Sequence, residues 1–348
     1  MKKRILYSML IAASTMVGFA SCDSFLEENP RDQITEEQAY KNSTLIYLNT
    51  VASLYTQVGG SSGGAGLQGT DRGIYDLNTF TTDEAMLPTR GGDWYDGGLW
   101  QNLFHHAWGT KNDLLKGSWD YLYKVIAQTN ASLDKLNSIL KEDPNNKVIP
   151  PYIAEVRAFR AMYYYYLLDM FARVPIVTSS KVELKDVEQS ERSAVFNFVK
   201  KELEETVEQL SDAHSNLSGE YYGRMTKPVA YLLLAKIALN SEIYADDNWT
   251  DGTKIDGKTI KFTVDGEEKN AWEATIAYCD KITALGYKLE PKFASNFSTT
   301  NENSVENIFT IPMDRNLYKN EFYYLIRSRH YSHAKAYGQG GWNGASAT

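Results

Sequence analysis

Two short segments combine flat aromatic side chains with planar polar groups. The first, residues 90–102, carries Arg90, Asp93, Trp94 and Trp100 among four glycines. Aromatic rings can stack on the C–H face of a sugar ring, while guanidinium, carboxylate and amide groups can bind its hydroxyls. Glycines in such a stretch expose the backbone and favour a loop. We therefore predict that this segment supplies ligand-binding side chains.

The second segment, residues 331–343, offers Tyr337, Trp342 and Asn343 for the same chemistry. Both Trp342 and Trp94 have glycine and either aspartate or asparagine as close neighbours, a context that favours an exposed loop position. We predict that the aromatic and polar side chains of this segment also contact a ligand.

Trp100 has a second interpretation. Hydrophobic periodicity resumes at Leu99, so Trp100 and the nearby Trp108 could simply pack against the next helix. Both interpretations of Trp100 remain open at the level of the sequence.

Catalytic motifs are absent from the sequence, which has no His-Glu-x-x-His, no Gly-x-Ser-x-Gly and no pair of cysteine ligands. His105 with His106, and His330 with His333, have no nearby carboxylate, so we expect surface histidines. The oxygen-rich stretch 246–252 leaves calcium open, although the alternating pattern of an EF-hand fails at Thr250. We therefore assign no catalytic residue, metal or cofactor.

The chain is acidic, with 36 basic and 44 acidic side chains and a net charge of −8. This balance excludes nucleic acid as a partner, because nucleic-acid affinity depends on neutralising phosphates with basic residues. Only two cysteines are present, Cys22 and Cys279, so no disulfide framework is expected. Cys279 shares a helical face with Trp272, Ile276 and Thr283, which predicts a small core residue.

Residues 1–21 have the pattern of a secretory signal peptide, with a basic start, a short apolar run and small residues at the end. The apolar run is shorter than the roughly 20 residues of a transmembrane helix. Cys22 follows at once, and residues 19–22 resemble the lipobox of bacterial lipoproteins, in which the cysteine is lipidated. The polar residues 22–34 would then form a tether to the membrane. The alternative is an ordinary signal peptide with an incidental cysteine.

Hydrophobic spacings of three and four residues predict helices along most of the remaining chain. A capping box formed by Thr35 and Gln38 opens the first helix, and Thr226 with Pro228 provides a capping hydroxyl and an early proline for a later one. The predicted helices cover residues 35–57, a block from about 99, and residues 115–140, 152–172, 193–210, 226–239 and 271–285.

Residues 246–270 break the helical pattern. Asp-Gly pairs at 256–257 and 265–266 flank a strand-like run, which predicts a β-hairpin or a three-stranded insertion. A short strand is predicted at 307–312. The fold class is therefore all-α, with tetratricopeptide-like helical pairs, long loops and a small β-hairpin insertion in one domain over residues 35–348.

Four ordered blocks behind the lipobox resemble the SusD/RagB family of outer-membrane lipoproteins of the Bacteroidetes. The most recognisable block contains Glu155, Arg157 and Arg160 followed by four consecutive tyrosines, and the next begins with Gly223 and Arg224. The blocks lie at residues 119–130, 155–175, 223–236 and 306–309.

The resemblance implies a fold of tetratricopeptide-like pairs that packs against a SusC-like TonB-dependent transporter. It also implies a surface, built from loops, that captures glycans at the outer membrane without catalysis. Chains of this family are usually considerably longer, so we expect that this sequence lacks a C-terminal part.

Two other function classes stay open. One is an exported helical-repeat scaffold that binds protein or peptide and has no sugar site. The other is an exported all-helical glycoside hydrolase, which needs two carboxyl groups about 5–10 Å apart across a cleft. The sequence contains many acids but singles out no such pair.

Overall fold

The computed structural model describes residues 35–59, 66–67, 72–89, 94–314 and 346–347. The chain divides into two compact units, Met1–Ile46 and Tyr47–Thr348. The predicted signal peptide and tether lie outside the described residues, as does most of the glycine-rich stretch before residue 66. None of the described helices has the length and apolarity needed to cross a membrane.

The first unit opens with the predicted capping box. The backbone N–H of Gln38 donates to Thr35 Oγ1, and the backbone N–H of Thr35 donates to Gln38 Oε1. Helix α1 covers Glu36–Ala39. The single long helix predicted from this point is wrong, because the chain leaves the helix after α1. Asn42 then caps a new helix by accepting from the N–H of Leu45.

The remaining helices follow in chain order. They are α2 Ser43–Tyr47, a π-helical segment Leu48–Ala52, α3 Ser53–Tyr55, α4 Ile74–Phe80, α5 Leu99–Phe104, α6 Asp113–Glu142, α7 Ile149–Phe171, α8 Arg192–Thr206, α9 Lys227–Leu239, α10 Ser241–Tyr244 and α11 Ala271–Ala284. Short 3-10 turns occur at Asp96–Gly98, Leu184–Asp186, Val207–Gln209, Phe293–Phe297 and Asn301–Asn303. The predicted helices from residue 99 onward are confirmed, whereas α4 was not predicted.

Helix α7 lies at the centre of the helical packing and contacts both α6 and α8. Ala154, Ala158 and Ala161 are almost completely buried, and their small side chains let neighbouring helices approach closely. Helix α9 packs in the same way against α11. These successive pairs confirm the predicted all-α fold of tetratricopeptide-like helical pairs.

The predicted β-hairpin is confirmed as two antiparallel strands, β2 Lys261–Val264 and β3 Glu267–Asn270. Asp265 and Gly266 form the turn with φ angles of 55° and 77°, as the tight turns of hairpins require. Phe262 of β2 is buried, and β2 packs against α11. A second small sheet pairs β1 Ala85–Met86 with β4 Ser346–Ala347.

Three local predictions are wrong. Residues 307–312 form no strand. Thr226 stands at the N-cap of α9, but its hydroxyl makes no capping bond. Cys279 is exposed, because α11 buries the neighbouring row Ala274, Tyr278 and Ile282 against α9 instead. Two rows of α11 carry apolar residues, and the spacing alone did not decide between them.

A set of buried and half-buried charged side chains, which we call the ion network, joins α7 to its neighbours. Its members are Glu155, Arg157, Arg160, Glu202 and Arg224. Glu202 accepts from Arg157 Nη2 at 2.7 Å through Oε1 and from Arg160 Nη2 at 2.6 Å through Oε2. Glu155 accepts from Nε and Nη2 of Arg224 at 3.1 and 2.7 Å. Such paired charges satisfy one another in the interior.

Tyr55 of α3 also binds to a member of the ion network. Its hydroxyl donates to Glu155 Oε1 at 2.6 Å and accepts from the N–H of Met225 at 2.7 Å. Burial, together with the neighbouring Glu155 carboxylate, raises the pKa of Tyr55 well above its ordinary value. Tyr55 therefore stays protonated and links three separate parts of the chain.

Candidate functional site

The loop of residues 94–98, which we call the Trp94 loop, has an unusual backbone. Trp94, Asp96, Gly97 and Gly98 have φ angles of 60°, 41°, 67° and 86°. The left-handed region is unfavourable for residues with a Cβ atom, and it persists only where surrounding contacts hold it. The Trp94 loop is thus held in one strained conformation at the surface.

Two side chains hold the Trp94 loop in this shape. Asp96 Oδ2 accepts from Trp100 Nε1 at 2.8 Å and from Arg72 Nη2 at 2.7 Å. Gln101 Nε2 donates to the carbonyl oxygens of Trp94 and Leu87 at 3.3 and 3.0 Å. These bonds tie the loop to α5 and to the segment before α4.

Trp100 forms the buried base of the site. Its side chain is fully buried, and its ring packs edge-on to Phe80 and Trp94 at centroid distances of 5.5 and 5.8 Å. The structure therefore favours the packing interpretation of Trp100, and a ligand contact by Trp100 stays a prediction. The unpredicted helix α4 supplies Leu77 and Phe80 as the facing wall of this core.

Side chains next to Trp100 differ in their exposure to solvent. Trp94 is half-buried, and the adjacent Tyr95 is 60 % exposed. Asn102 lies in α5 and is exposed, and its amide makes no hydrogen bond to any described residue. Tyr95 is not among the residues predicted from the sequence, although it lies between Trp94 and Asp96 in the glycine-flanked stretch.

Five of the predicted ligand-binding residues lie outside the described residues, and so does the predicted lipidation site Cys22. They are Arg90, Asp93, Tyr337, Trp342 and Asn343. Their roles therefore stay predictions.

The histidines next to α5 serve local structure. His106 Nε2 lies 2.7 Å from the carbonyl oxygen of Thr81, and the His106 ring packs against Trp108, which is 39 % exposed. Among the described residues, no three His, Cys, Asp or Glu side chains are grouped closely enough to hold a metal ion.

The acidic stretch 246–252 also uses its carboxylates locally. Asp246 Oδ1 and Asp251 Oδ1 accept from backbone N–H groups two residues further on. Asp247 accepts from both the N–H and the hydroxyl of Ser193 at the start of α8. These carboxylates order the loop and attach it to α8.

A model of the SusD-like family matches residues 62–239, which is half of the chain. The family is described as starch-binding and associating with the outer membrane. The chain belongs to the SusD-like family. A SusD-like protein of Bacteroides ovatus is 23 % identical over 87 % of this chain and 49 % of its own length. The starch-binding protein SusD of Bacteroides thetaiotaomicron is 22 % identical over 87 % of this chain and 50 % of its own length.

Solved structures share the fold of this chain. A SusD superfamily protein of Bacteroides vulgatus superposes with a TM-score of 0.64 at 19 % identity, over 89 % of this chain and 56 % of the other. A surface glycan-binding protein A of Bacteroides thetaiotaomicron, in complex with laminarihexaose, gives 0.62 at 17 % identity, over 87 % and 58 %. This SusD-like chain spans about half the length of the curated relatives it matches.

Proposed function

We propose that this chain captures oligosaccharide or polysaccharide at the cell surface as a lipid-anchored SusD-like protein and delivers it to a SusC-like TonB-dependent outer-membrane transporter. The observation that carries the proposal is the Trp94 loop. A strained backbone, fixed by hydrogen bonds, presents Trp94 and Tyr95 over a rigid base.

The arrangement of the Trp94 loop suits a sugar ring. Aromatic faces bind the C–H side of a pyranose, and nearby amides bind its hydroxyls. Because Asp96 and Gln101 already hold the backbone, binding would cost little additional ordering, which favours affinity. The names of relatives that bind starch or laminarin support a neutral glycan as the first ligand to test.

The proposal is tested by affinity electrophoresis and calorimetry with soluble starch and laminarihexaose. We expect Trp94→Ala and Tyr95→Ala each to weaken binding at least tenfold, which corresponds to about 1.4 kcal/mol. Phe293→Ala is the matched control, because Phe293 is 75 % exposed on a 3-10 turn in another part of the fold.

Unchanged affinity in both loop variants would remove the Trp94 loop as the glycan site. Binding of a peptide or protein by the same loop, with no glycan retained, would favour the scaffold alternative. Release of reducing sugar from either polysaccharide would favour the hydrolase alternative.

The anchor and the partner need separate tests. We expect Cys22→Ala to release the protein from the membrane fraction, because the proposed lipid is its attachment. Purification of the intact protein from solubilised outer membranes should recover a TonB-dependent transporter. Recovery without a transporter would contradict delivery while leaving capture intact.

A further inference from the structure

A second exposed aromatic side chain lies at the far end of α7. Trp249 is 53 % exposed, although two guanidinium groups lie over its ring. The Cζ atoms of Arg173 and Arg192 are 5.1 and 4.9 Å from the ring centroid. Cation–π contacts of this kind hold an aromatic ring in a defined orientation at a surface.

The Trp249 ring is supported by a fixed loop. Arg192 donates through Nε and Nη2 to the carbonyl oxygen of Asp246 at 2.8 and 2.5 Å. Asp247 caps the first turn of α8 through Ser193. The loop therefore stays attached to α8, and Trp249 is presented on an ordered base.

Polar donors remain open beside the Trp249 ring. Nε of Arg173 lies 3.6 Å from a carboxylate oxygen of Glu191, while its two Nη groups make no hydrogen bond to any described residue. Nη1 of Arg192 is likewise without a hydrogen bond among the described residues. The guanidinium groups cover part of the Trp249 ring, and its exposed part together with their donors offers both contacts that a sugar ring needs.

The last turn of α7 connects this ring to the Trp94 loop. Met170 packs against the same core cluster as Trp94 and Trp100. Three residues further on, Arg173 lies over Trp249. The core under the Trp94 loop and the Trp249 ring are therefore contacted by residues only three positions apart at the C-terminal end of α7.

We propose that Trp249, with Arg173 and Arg192, is a second sugar-binding subsite that extends the Trp94 loop site along an uncharged oligosaccharide. This inference rests on the proposed function. Glu191, Asp246 and Asp247 lie beside the two arginines, and their three negative charges outnumber the two positive ones, which favours an uncharged sugar over an anionic one.

The test compares short and long laminari- and malto-oligosaccharides by calorimetry. In a chain that uses both subsites, Trp249→Ala lowers the affinity for the hexasaccharide at least tenfold. The affinity for the disaccharide, which binds at the Trp94 loop, is unchanged. Tyr95→Ala weakens both. Trp249→Phe, which keeps a ring, restores most of the hexasaccharide affinity. Phe297→Ala, another exposed aromatic change, alters neither.

The outcomes separate the two proposals. Equal hexasaccharide affinity in Trp249→Ala and wild type, with loss in Tyr95→Ala, overturns the second subsite and leaves the proposed function standing. If the wild type retains no neutral glycan, both the proposed function and the second subsite are overturned. Tighter retention on a polyuronate gel than on starch overturns the uncharged ligand. Circular dichroism and the melting temperature confirm that each variant is folded.

Discussion

The ion network and the Trp94 loop both hold residues in fixed positions, but they use their polar groups in opposite ways. In the ion network, Glu155 and Glu202 direct both carboxylate oxygens at arginine donors in the interior. In the Trp94 loop, Asp96 and Gln101 hold the backbone from below and leave neighbouring ring and amide groups open. The first arrangement joins helices, while the second prepares a surface.

This difference explains where the family resemblance lies. The blocks at residues 155–175 and 223–236 contribute Glu155, Arg157, Arg160 and Arg224 to the ion network. The most recognisable sequence features therefore define the fold. The residues that we expect to touch a glycan lie in loops, where no such motif marks them.

The largest effect should come from Glu202→Ala. Removing this carboxylate leaves Arg157 and the buried Arg160 without their main partner, and breaking a buried pair costs about 3–5 kcal/mol. Urea denaturation measures the loss in the free energy of unfolding. Glu205→Ala is the matched control on the same helix, since Glu205 is partly exposed and its pairs should contribute less than about 1 kcal/mol. Equal losses in both variants would contradict a special role of the ion network.

Next in size is Gly223→Ala, beside Arg224. A Cβ atom at this position would lie 2.6 Å from Cγ and Cδ of Pro312, and φ is 74°. Gly252 has the same φ of 74° with open space around it, so Gly252→Ala measures the backbone cost alone, about 1–2 kcal/mol. We expect Gly223→Ala to destabilise by roughly 1–3 kcal/mol more, because of overpacking. Similar melting temperatures for the two variants would show that Pro312 moves aside freely.

Asp96→Ala should affect both folding and binding. It removes the acceptor for the buried Trp100 Nε1 and for Arg72, which costs about 1–3 kcal/mol of stability. We also expect glycan affinity to fall at least tenfold, because the left-handed backbone loses its support. Glu84→Ala, another exposed carboxylate before α5, is the control and should change neither quantity. Full glycan affinity in folded Asp96→Ala would show that the strained backbone is unnecessary for binding.

The smallest effect concerns Asp134, which ties α6 to the segment after α7. Burial alone would raise the pKa of Asp134, but hydrogen bonds from Ser180 and Ser179 outweigh it and lower the pKa below the ordinary 3.8. The stabilisation is therefore present above that value and is lost as pH falls through the lowered pKa. We expect the free energy of unfolding to fall less steeply at acid pH in Asp134→Asn than in the wild type. The difference should be less than about 1 kcal/mol. An acid dependence identical to that of the wild type would contradict this assignment.

Hydrophobic spacing predicted the long helices because one face of each is buried, and the Asp-Gly pair at 265–266 predicted the hairpin turn. Short helices escaped prediction. Helix α4 has seven residues, which is too few for a clear period. Cys279 was misplaced because α11 carries two apolar rows and only the packing with α9 decides which one is buried.

The candidate site could be predicted only in part. Trp94 was found from its neighbours, but the left-handed φ of Trp94 and Asp96 has no signature in residue type, since both carry a Cβ atom. The burial of Trp100 depends on Phe80, twenty positions earlier, and on the indole N–H reaching Asp96. Such contacts between distant residues are decided by the tertiary structure.

The hydroxyl of Tyr55 meets partners that lie 100 and 170 positions later in the sequence. A growing chain therefore cannot complete this junction until Glu155 and Met225 have both been synthesised, and contacts of such long range are expected to form late. A shortened version that stops before Arg224 would keep α3 and α7 yet leave the carboxylate of Glu155 without its counter-ion. Any fragment of this protein should consequently extend beyond Met225 if this junction is to form.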